Sequence, residues 1–428
     1  MNIPSSAISI ASAGLLAATL AMPASAANVG TDIADAFKNG KFNVDFRYRY
    51  EFVDQDSLDD DANASTIRSR LVFQSAEYKD FSVNLGLDDL RTIGNGNYNS
   101  TRNGQGAYPT VADPKGTEVN IASLVWTGLD GVKVEAGRQR IKRGNLRFIG
   151  NVGWRQNEQT YDAASVSYDI TDDINVYYGF VGEVKRIFGP DDPNAANQPA
   201  GSISSDSHLV DTNWKILPLL NVSAYGYFLD LDDDSGSAAN EANLSSDTYG
   251  LRVTGKGEFS DNLSFTYAAE YANQQDAGDS VLDLDEDYTL LEAGLGMGIF
   301  STTLGYEILT GSGNAANGAF QTPLATLHKF NGWADQFLST PIGGLEDMYL
   351  KASVKALGGT FSAAYHDFSQ ETGSSDYGTE IDLKAKWKFL ENYSVLVGFA
   401  LFDVDDEGLR PGPGSDIDKV WVQLGASF

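Results

Sequence analysis

The sequence predicts an all-β protein: a transmembrane, antiparallel, up-and-down β-barrel of about eighteen strands, with sixteen as the alternative. Three observations predict it. Apolar and polar residues alternate with a period of two along almost the whole chain, the pattern of a strand with two unlike faces. Connections between the alternating stretches are short and long in turn, as in barrels with tight periplasmic turns and extended outer loops. The chain also ends inside such a stretch: Val420, Val422, Leu424, Ala426 and Phe428 fall on one face, with Trp421, Gln423, Gly425 and Ser427 on the other. A terminal aromatic strand is the expected closure against the first strand.

The elements follow in order. Residues 7–27 carry no charge and contain Ala24-Ser25-Ala26, a small-x-small cleavage site, so 1–26 reads as an export signal cut after Ala26. No Lys or Arg precedes the run, and a membrane anchor is the other reading. Residues 27–41 form a short periplasmic segment, and 42–428 one barrel. The first strand pairs Phe42, Val44, Phe46, Tyr48, Tyr50 and Phe52 against Asn43, Asp45, Arg47, Arg49 and Glu51. The same rhythm recurs over 66–77, 81–91, 117–127, 131–141, 159–169, 173–184, 206–215, 219–230, 246–258, 261–273, 287–297, 299–309, 346–356, 359–369, 377–389, 392–403 and 417–428. Each stretch reaches the roughly 9–11 residues that a tilted strand needs to cross a bilayer. Gly294, Gly296 and Gly298 blur the pattern at strands twelve and thirteen, which is where a sixteen-strand count arises.

Composition agrees. After the N-terminal run no stretch of about 20 apolar residues remains for a membrane helix, and no helical period of useful length is evident. The chain has no cysteine, 20 Tyr, 22 Phe and 6 Trp, as aromatic girdles require. The formal charge of −29 argues against nucleic acid as a partner. Acidic residues cluster at Asp54 to Asp61, Asp230 to Asp234, Asp276 to Asp287 and Asp403 to Glu407, read as solvated outer loops. The run Asp230 to Gly236 has the oxygen crowding for calcium but lacks a calcium-loop spacing, so no cofactor and no metal are expected. His366, beside Asp367 and Ser369, invites a lipid-hydrolase reading. Nothing brings a serine, a histidine and an acid together, and no enzyme is expected. A structural or adhesive barrel with a closed lumen is the remaining alternative.

With aromatic positions toward lipid, Arg47, Arg49, Arg68, Arg70, Arg252, Lys256, Lys384, Lys386 and Lys388 point inward. Seven basic residues and two acidic ones lie between Gly131 and Glu158 (Arg138, Arg140 and Arg155 among them). Such cations either brace the wall by pairing with Asp45, Glu51, Glu380 and Asp382, or line an anion path. A low-dielectric wall focuses their field and admits anions over cations. The longest connection, 310–345, holds Phe320, Leu324, Leu327, Phe330, Trp333 and Phe337, which a solvated loop does not need. It is expected to fold inward or cap the mouth as a partly helical plug. His328, Lys329, Asn331 and Trp333 would then face a sugar, or the loop packs only on itself at the rim.

The segments GRQRIKRGNLRFIGNVGWRQNEQTYD, from Gly137 to Asp162, and LHKFNGWADQFLSTP, from Leu327 to Pro341, followed by Gly343 to Tyr349, resemble the alginate export family of outer-membrane proteins. The resemblance spans about Phe42 to Phe428. It implies a monomeric eighteen-strand barrel whose electropositive constriction passes an anionic polyuronate, with Arg47, Arg138, Arg140 and Arg155 contacting the anion. The partners it implies are anionic carbohydrate or another anionic solute, outer-membrane lipid and lipopolysaccharide, and the barrel-assembly machinery during insertion.

Overall fold

In the computed structural model the described residues are 26–189, 199–232, 241–405 and 414–428. Most of the expected export signal, Asp233, Asp234, Asp406 and Glu407 lie outside them. A helix, α1 (Ala26–Lys38), precedes eighteen strands. They are β1 (Lys41–Gln55), β2 (Ala62–Gln74), β3 (Phe81–Asn97), β4 (Gly116–Leu129), β5 (Val132–Gln139), β6 (Thr160–Thr171), β7 (Ile174–Lys185), β8 (Ser202–Leu217) and β9 (Leu220–Leu229). The second half holds β10 (Ser246–Ser260), β11 (Leu263–Asp276), β12 (Asp285–Met297), β13 (Phe300–Leu309), β14 (Leu345–Ala356), β15 (Gly359–Ser369), β16 (Asp376–Phe389), β17 (Tyr393–Val404) and β18 (Ile417–Ser427).

Every strand pairs antiparallel with its sequence neighbours, and β1 pairs with β18 from Asp45↔Ser427 to Gln55↔Ile417. The sheet is therefore a closed eighteen-strand barrel with no free edge, which in hydrocarbon satisfies every ladder group internally. Closure uses the last residue: Val44 N donates to Phe428 O at 3.0 Å, Phe428 N donates to Val44 O at 2.9 Å, and the Phe428 ring meets Tyr393 edge-on at 5.9 Å. The sixteen-strand count fails because β12 and β13 form a hairpin, Met297↔Phe300, around Gly298. Gly294 and Gly296 sit on the lumen face, and Gly298 forms the turn. A Cβ on Gly294 would meet Thr266 Oγ1 at 2.4 Å, and one on Gly296 would meet Ser264 Oγ at 2.5 Å.

The distribution of side chains is that of a membrane barrel. Exposed large apolar residues line the outer face: Phe46, Leu71, Leu85, Leu124, Leu251, Leu291, Leu350 and Leu383, for example. Buried residues inside include Arg49, Glu51, Arg68, Asp88, Glu270, Glu307, Asp347, Glu380 and Asp382. A water-soluble fold buries the first kind and exposes the second. Lipid outside and a polar lumen within require this reversal, so the chain is an outer-membrane-type β-barrel.

Segment 27–41 holds most of helix α1, in which Ile33 and Phe37 stand one turn apart. One sequence expectation needs correction, the partly helical plug. The 310–345 connection is irregular except for one turn of 3-10 helix, Leu327–Lys329.

Candidate functional site

Two connections pack against inward-facing side chains of the wall, Arg47, Arg49, Glu307 and Glu380. Residues 140–159 join β5 to β6, and residues 310–344 join β13 to β14. Their apolar residues explain the inward course. Phe148 packs on Tyr225 (5.2 Å), Tyr227 (6.0 Å), Tyr288 (5.4 Å) and Phe320 (6.0 Å). Phe337 packs on Phe368, Tyr377 and Phe402. The two segments also bind each other: Gly150 N donates to Leu324 O at 2.8 Å, and Thr326 N donates to Leu146 O at 3.1 Å.

Charged anchors tie this plug to the wall. Arg47 donates through Nε to Gln156 Oε1 (2.8 Å), through Nη1 to Gly153 O (3.0 Å), and through Nη2 to Arg155 O. Arg49 lies over the Trp154 ring at 4.1 Å and donates to Trp154 O and Gln423 Oε1. Arg68 pairs with Asp45, Arg70 with Asp88 and Glu158, and Arg140 with Glu158. Arg143 pairs with Asp211 of the nearby β8 and lies over Tyr177 of β7. Arg155 reaches Glu51 (3.2 Å) and Asp335 (3.3 Å). Burial alone would lower the Arg155 pKa, but Glu51, Asp113 and Asp335 outweigh it and hold the guanidinium more firmly protonated than usual.

Asp335 is the centre of the second loop. It accepts from Lys419 Nζ at 2.8 Å and Arg155 Nη2 at 3.3 Å, and it bonds His328 Nδ1 at 2.7 Å. Burial raises its pKa; Lys419, His328 and Arg155 more than reverse that and hold the carboxylate well below its ordinary range. Burial lowers the His328 pKa, against the opposing pull of Asp335. The His328 ring stacks on Trp154 at 3.9 Å and 7°. Arg147 bonds Asn331 Oδ1 (3.0 Å) and Glu307 (3.1 Å), and Asn331 Nδ2 donates to Glu307 and Asp347. The Trp333 and Ala334 amides both donate to Glu380 Oε1. Gly332 permits this approach: its φ is +83°, and a Cβ there would lie 2.1 Å from Glu380 Oε2.

Cations without an ion pair among the described residues form a second group. Lys351, Lys384 and Lys386 project inward in successive rows of the β14–β15–β16 wall, as the registers Lys351↔Ala364↔Asp382, Ser353↔Ser362↔Lys384 and Lys355↔Thr360↔Lys386 require. Lys384 Nζ sits 4.3 Å over Trp333, and Lys351 Nζ 3.9 Å over Tyr349. Lys329, exposed at the inner tip of the plug, joins them: burial, then the charges of Arg252 and Lys351, lower its pKa. A recess of about 850 Å³ toward the turn end is lined by Lys256, Arg252, Lys215, Thr254, Asn213 and Glu292.

The expected site residues therefore divide. Arg47, Arg49, Arg68, Arg70, Arg140 and Arg155 face inward but are bound to protein acceptors. Asn331 is buried as a bridge between wall acids, and Trp333 carries Lys384. Lys329, Lys384 and Lys386 have no carboxylate partner among the described residues, and Lys329 Nζ donates to Asn145 O at 2.6 Å. Arg138 is corrected. It lies in register with Ala122 and Asp162, on the face opposite Ser123 and Glu135, and pairs with Asp162 at 2.7 and 2.8 Å on the outer wall. Its parity with Val132, Val134 and Ala136 carried that signal in the sequence. Arg138→Glu is expected to leave the anion/cation permeability ratio within error of the parent in planar bilayers; a clear drop would return Arg138 to the lumen. His366 points inward to Asp347 (2.8 Å), whereas Asp367 and Ser369 pair with Met348 and Glu346 on the outer face. Among the described residues no cluster of three His or carboxylate side chains is placed to hold a metal.

No family model matches the chain, and no curated protein does. Solved structures do. OccAB4 of Acinetobacter baumannii superposes with a TM-score of 0.67 at 13% identity, covering 91% of this chain and 98% of that one. OccD3 (OpdP) of Pseudomonas aeruginosa gives 0.67 at 14%, covering 92% of each. OccK9 (OpdG) of the same organism gives 0.68 at 14%, covering 92% and 99%. These are outer-membrane porins. At such identities the likeness is one of fold: an eighteen-strand barrel of the bacterial outer membrane.

Proposed function

We propose that the protein is a passive outer-membrane channel for anionic solutes, foremost uronate-rich oligo- or polysaccharides. One observation carries the reading. In a chain of net charge −29, several lumen lysines have no ion pair among the described residues, and four of them, Lys329, Lys351, Lys384 and Lys386, lie on and beside the β14–β16 wall next to the plug. Wall-bracing accounts for the arginines, since each has its acceptor. It does not account for lysines held beside aromatic rings and small hydroxyl residues with no ion pair among the described residues. A passing carboxylate or sulfate supplies the missing charge, and an ammonium on a flexible stem follows it as a point charge. Several such groups in a row favour a polyanion, which meets the next lysine before leaving the last. The resemblance of the 137–162 and 327–349 segments to alginate exporters supports a polyuronate as that anion.

The test is current block. Oligomers of mannuronate or guluronate added to single channels are expected to interrupt the current at micromolar to millimolar levels, weakening as salt rises. Neutral glucose oligomers of equal length serve as the control. Equal block by both sets would overturn the anionic reading; no conductance at all would favour a closed structural barrel.

A further inference from the structure

We infer that α1 is an interfacial membrane helix, which seats Ile33 and Phe37 in the phospholipid of the periplasmic leaflet beside the barrel. The C-terminal turn of the helix is fixed at the short-turn end of the barrel: the Ala36 carbonyl accepts from Ala76 N, between β2 and β3, at 2.9 Å. The Phe37 ring stacks on Phe73 at 5.7 Å and 20°, and Phe73 contacts Phe42 at 4.7 Å. Phe42 and Phe73 are paired in register, with the next outward pair Val44↔Leu71. They belong to the lipid face, and Phe42 is 65% exposed. The helix is thus docked on the outer side of the wall and not beneath the lumen.

Its own faces agree. Ile33 and Phe37, one turn apart, are 42% and 45% exposed, whereas Ala36 is buried against the barrel. Asp32, Asp35 and Lys38 supply the polar side. An amphipathic helix whose apolar residues continue a bilayer-facing aromatic band is placed to lie in the headgroup–acyl boundary. Farther along the same rim Phe81 packs on Trp126 at 6.5 Å, so Phe37 extends an aromatic girdle already present. The occupant of the exposed stripe is lipid because the stripe is continuous with a surface that lipid covers.

The absence of cysteine makes the test direct. Ile33→Cys and Asp35→Cys, each carrying an environment-sensitive nitrobenzoxadiazole label, are refolded into phosphatidylcholine vesicles with or without brominated acyl chains. The label at 33 is expected to emit to the blue of the label at 35, to be quenched several-fold more by brominated lipid, and to be shielded from aqueous iodide. Equal iodide quenching at both sites overturns the inference. So does shielding of position 33 from iodide and bromolipid alike, which means protein covers it. Ile33→Trp, read as a difference from the parent under the same quenchers, guards against a label that perturbs the helix: bromolipid quenching of the added emission supports the inference, and its absence overturns it.

Discussion

Exchanging Lys351, Lys384 and Lys386 for glutamate is expected to turn an anion-preferring channel into a cation-preferring one. Each exchange alters the local charge by two units. A unit charge about 6 Å from an ion in water acts with about 0.7 kcal/mol, and a Debye length of about 10 Å at 0.1 M salt screens part of that. Even if only a third survives, three exchanges move the difference between anion and cation by about 3 kcal/mol, roughly a hundredfold in permeability ratio. The reversal potential under a salt gradient reads this directly and should change sign. Because these lysines form no ion pair among the described residues, the exchanges break no salt bridge, and heat-modifiability in gels should report a folded barrel. An unchanged reversal potential in a folded triple variant would end the anion reading.

The same exchange at the arginines is predicted to act differently. Arg47 and Arg49 hold the backbone of 153–155, so their loss frees the plug before it alters selectivity. Nothing in the sequence separates these two classes of inward cation. Parity tells which side of the wall a residue faces, and it was enough for the eighteen strands, the closure at Phe428 and the lumen orientation of Arg47 and Lys384. Pairing depends on register and on which loops enter. Arg47 stands directly opposite Arg68 in the ladder, a repulsive arrangement in isolation. It is tolerable because Asp45, Asp88 and Gln156 arrive from three places in the chain. Apolar content exposed the inward course of 310–344. The same signal was present in Ile141, Phe148, Ile149 and Trp154 of 140–159, overshadowed by five basic residues read as wall bracing or an anion path. Helix α1 was masked by its brevity and by Gly30 and Thr31, both poor helix formers; it is held by docking on Phe73 more than by propensity.

Asp335→Ala is expected to open the pore while sparing the barrel. The carboxylate closes a network with His328, Lys419 and Arg155, every member being at least largely buried. Removing one partner of a buried charge pair costs about 3–5 kcal/mol, because the other charge is left without compensation. Here Lys419 loses its only ion-pair partner among the described residues, and Arg155 keeps Glu51. The cost falls on the docked state of 310–344. Outside the bound position Lys419 regains water, whereas the β-ladder is untouched either way. A shift of that size changes the docked-to-released ratio by roughly 10²–10⁴. Single-channel conductance should therefore rise several-fold, or flicker between two levels if the 140–159 segment stays in place. The depressed pKa of Asp335 fixes the sign of its pH behaviour. A carboxylate ionised more readily when docked contributes fully above its free value of about 3.9 and loses that contribution only as pH falls through the lower docked value. This group adds no pH dependence between about pH 5 and 8. Gly332→Ala provides an independent route to the same end, since its Cβ would strike the Glu380 carboxylate that binds the Trp333 and Ala334 amides. If both variants conduct like the parent, the two inward segments do not set the bore, and the limiting section lies lower, among the lysines of β14 and β16.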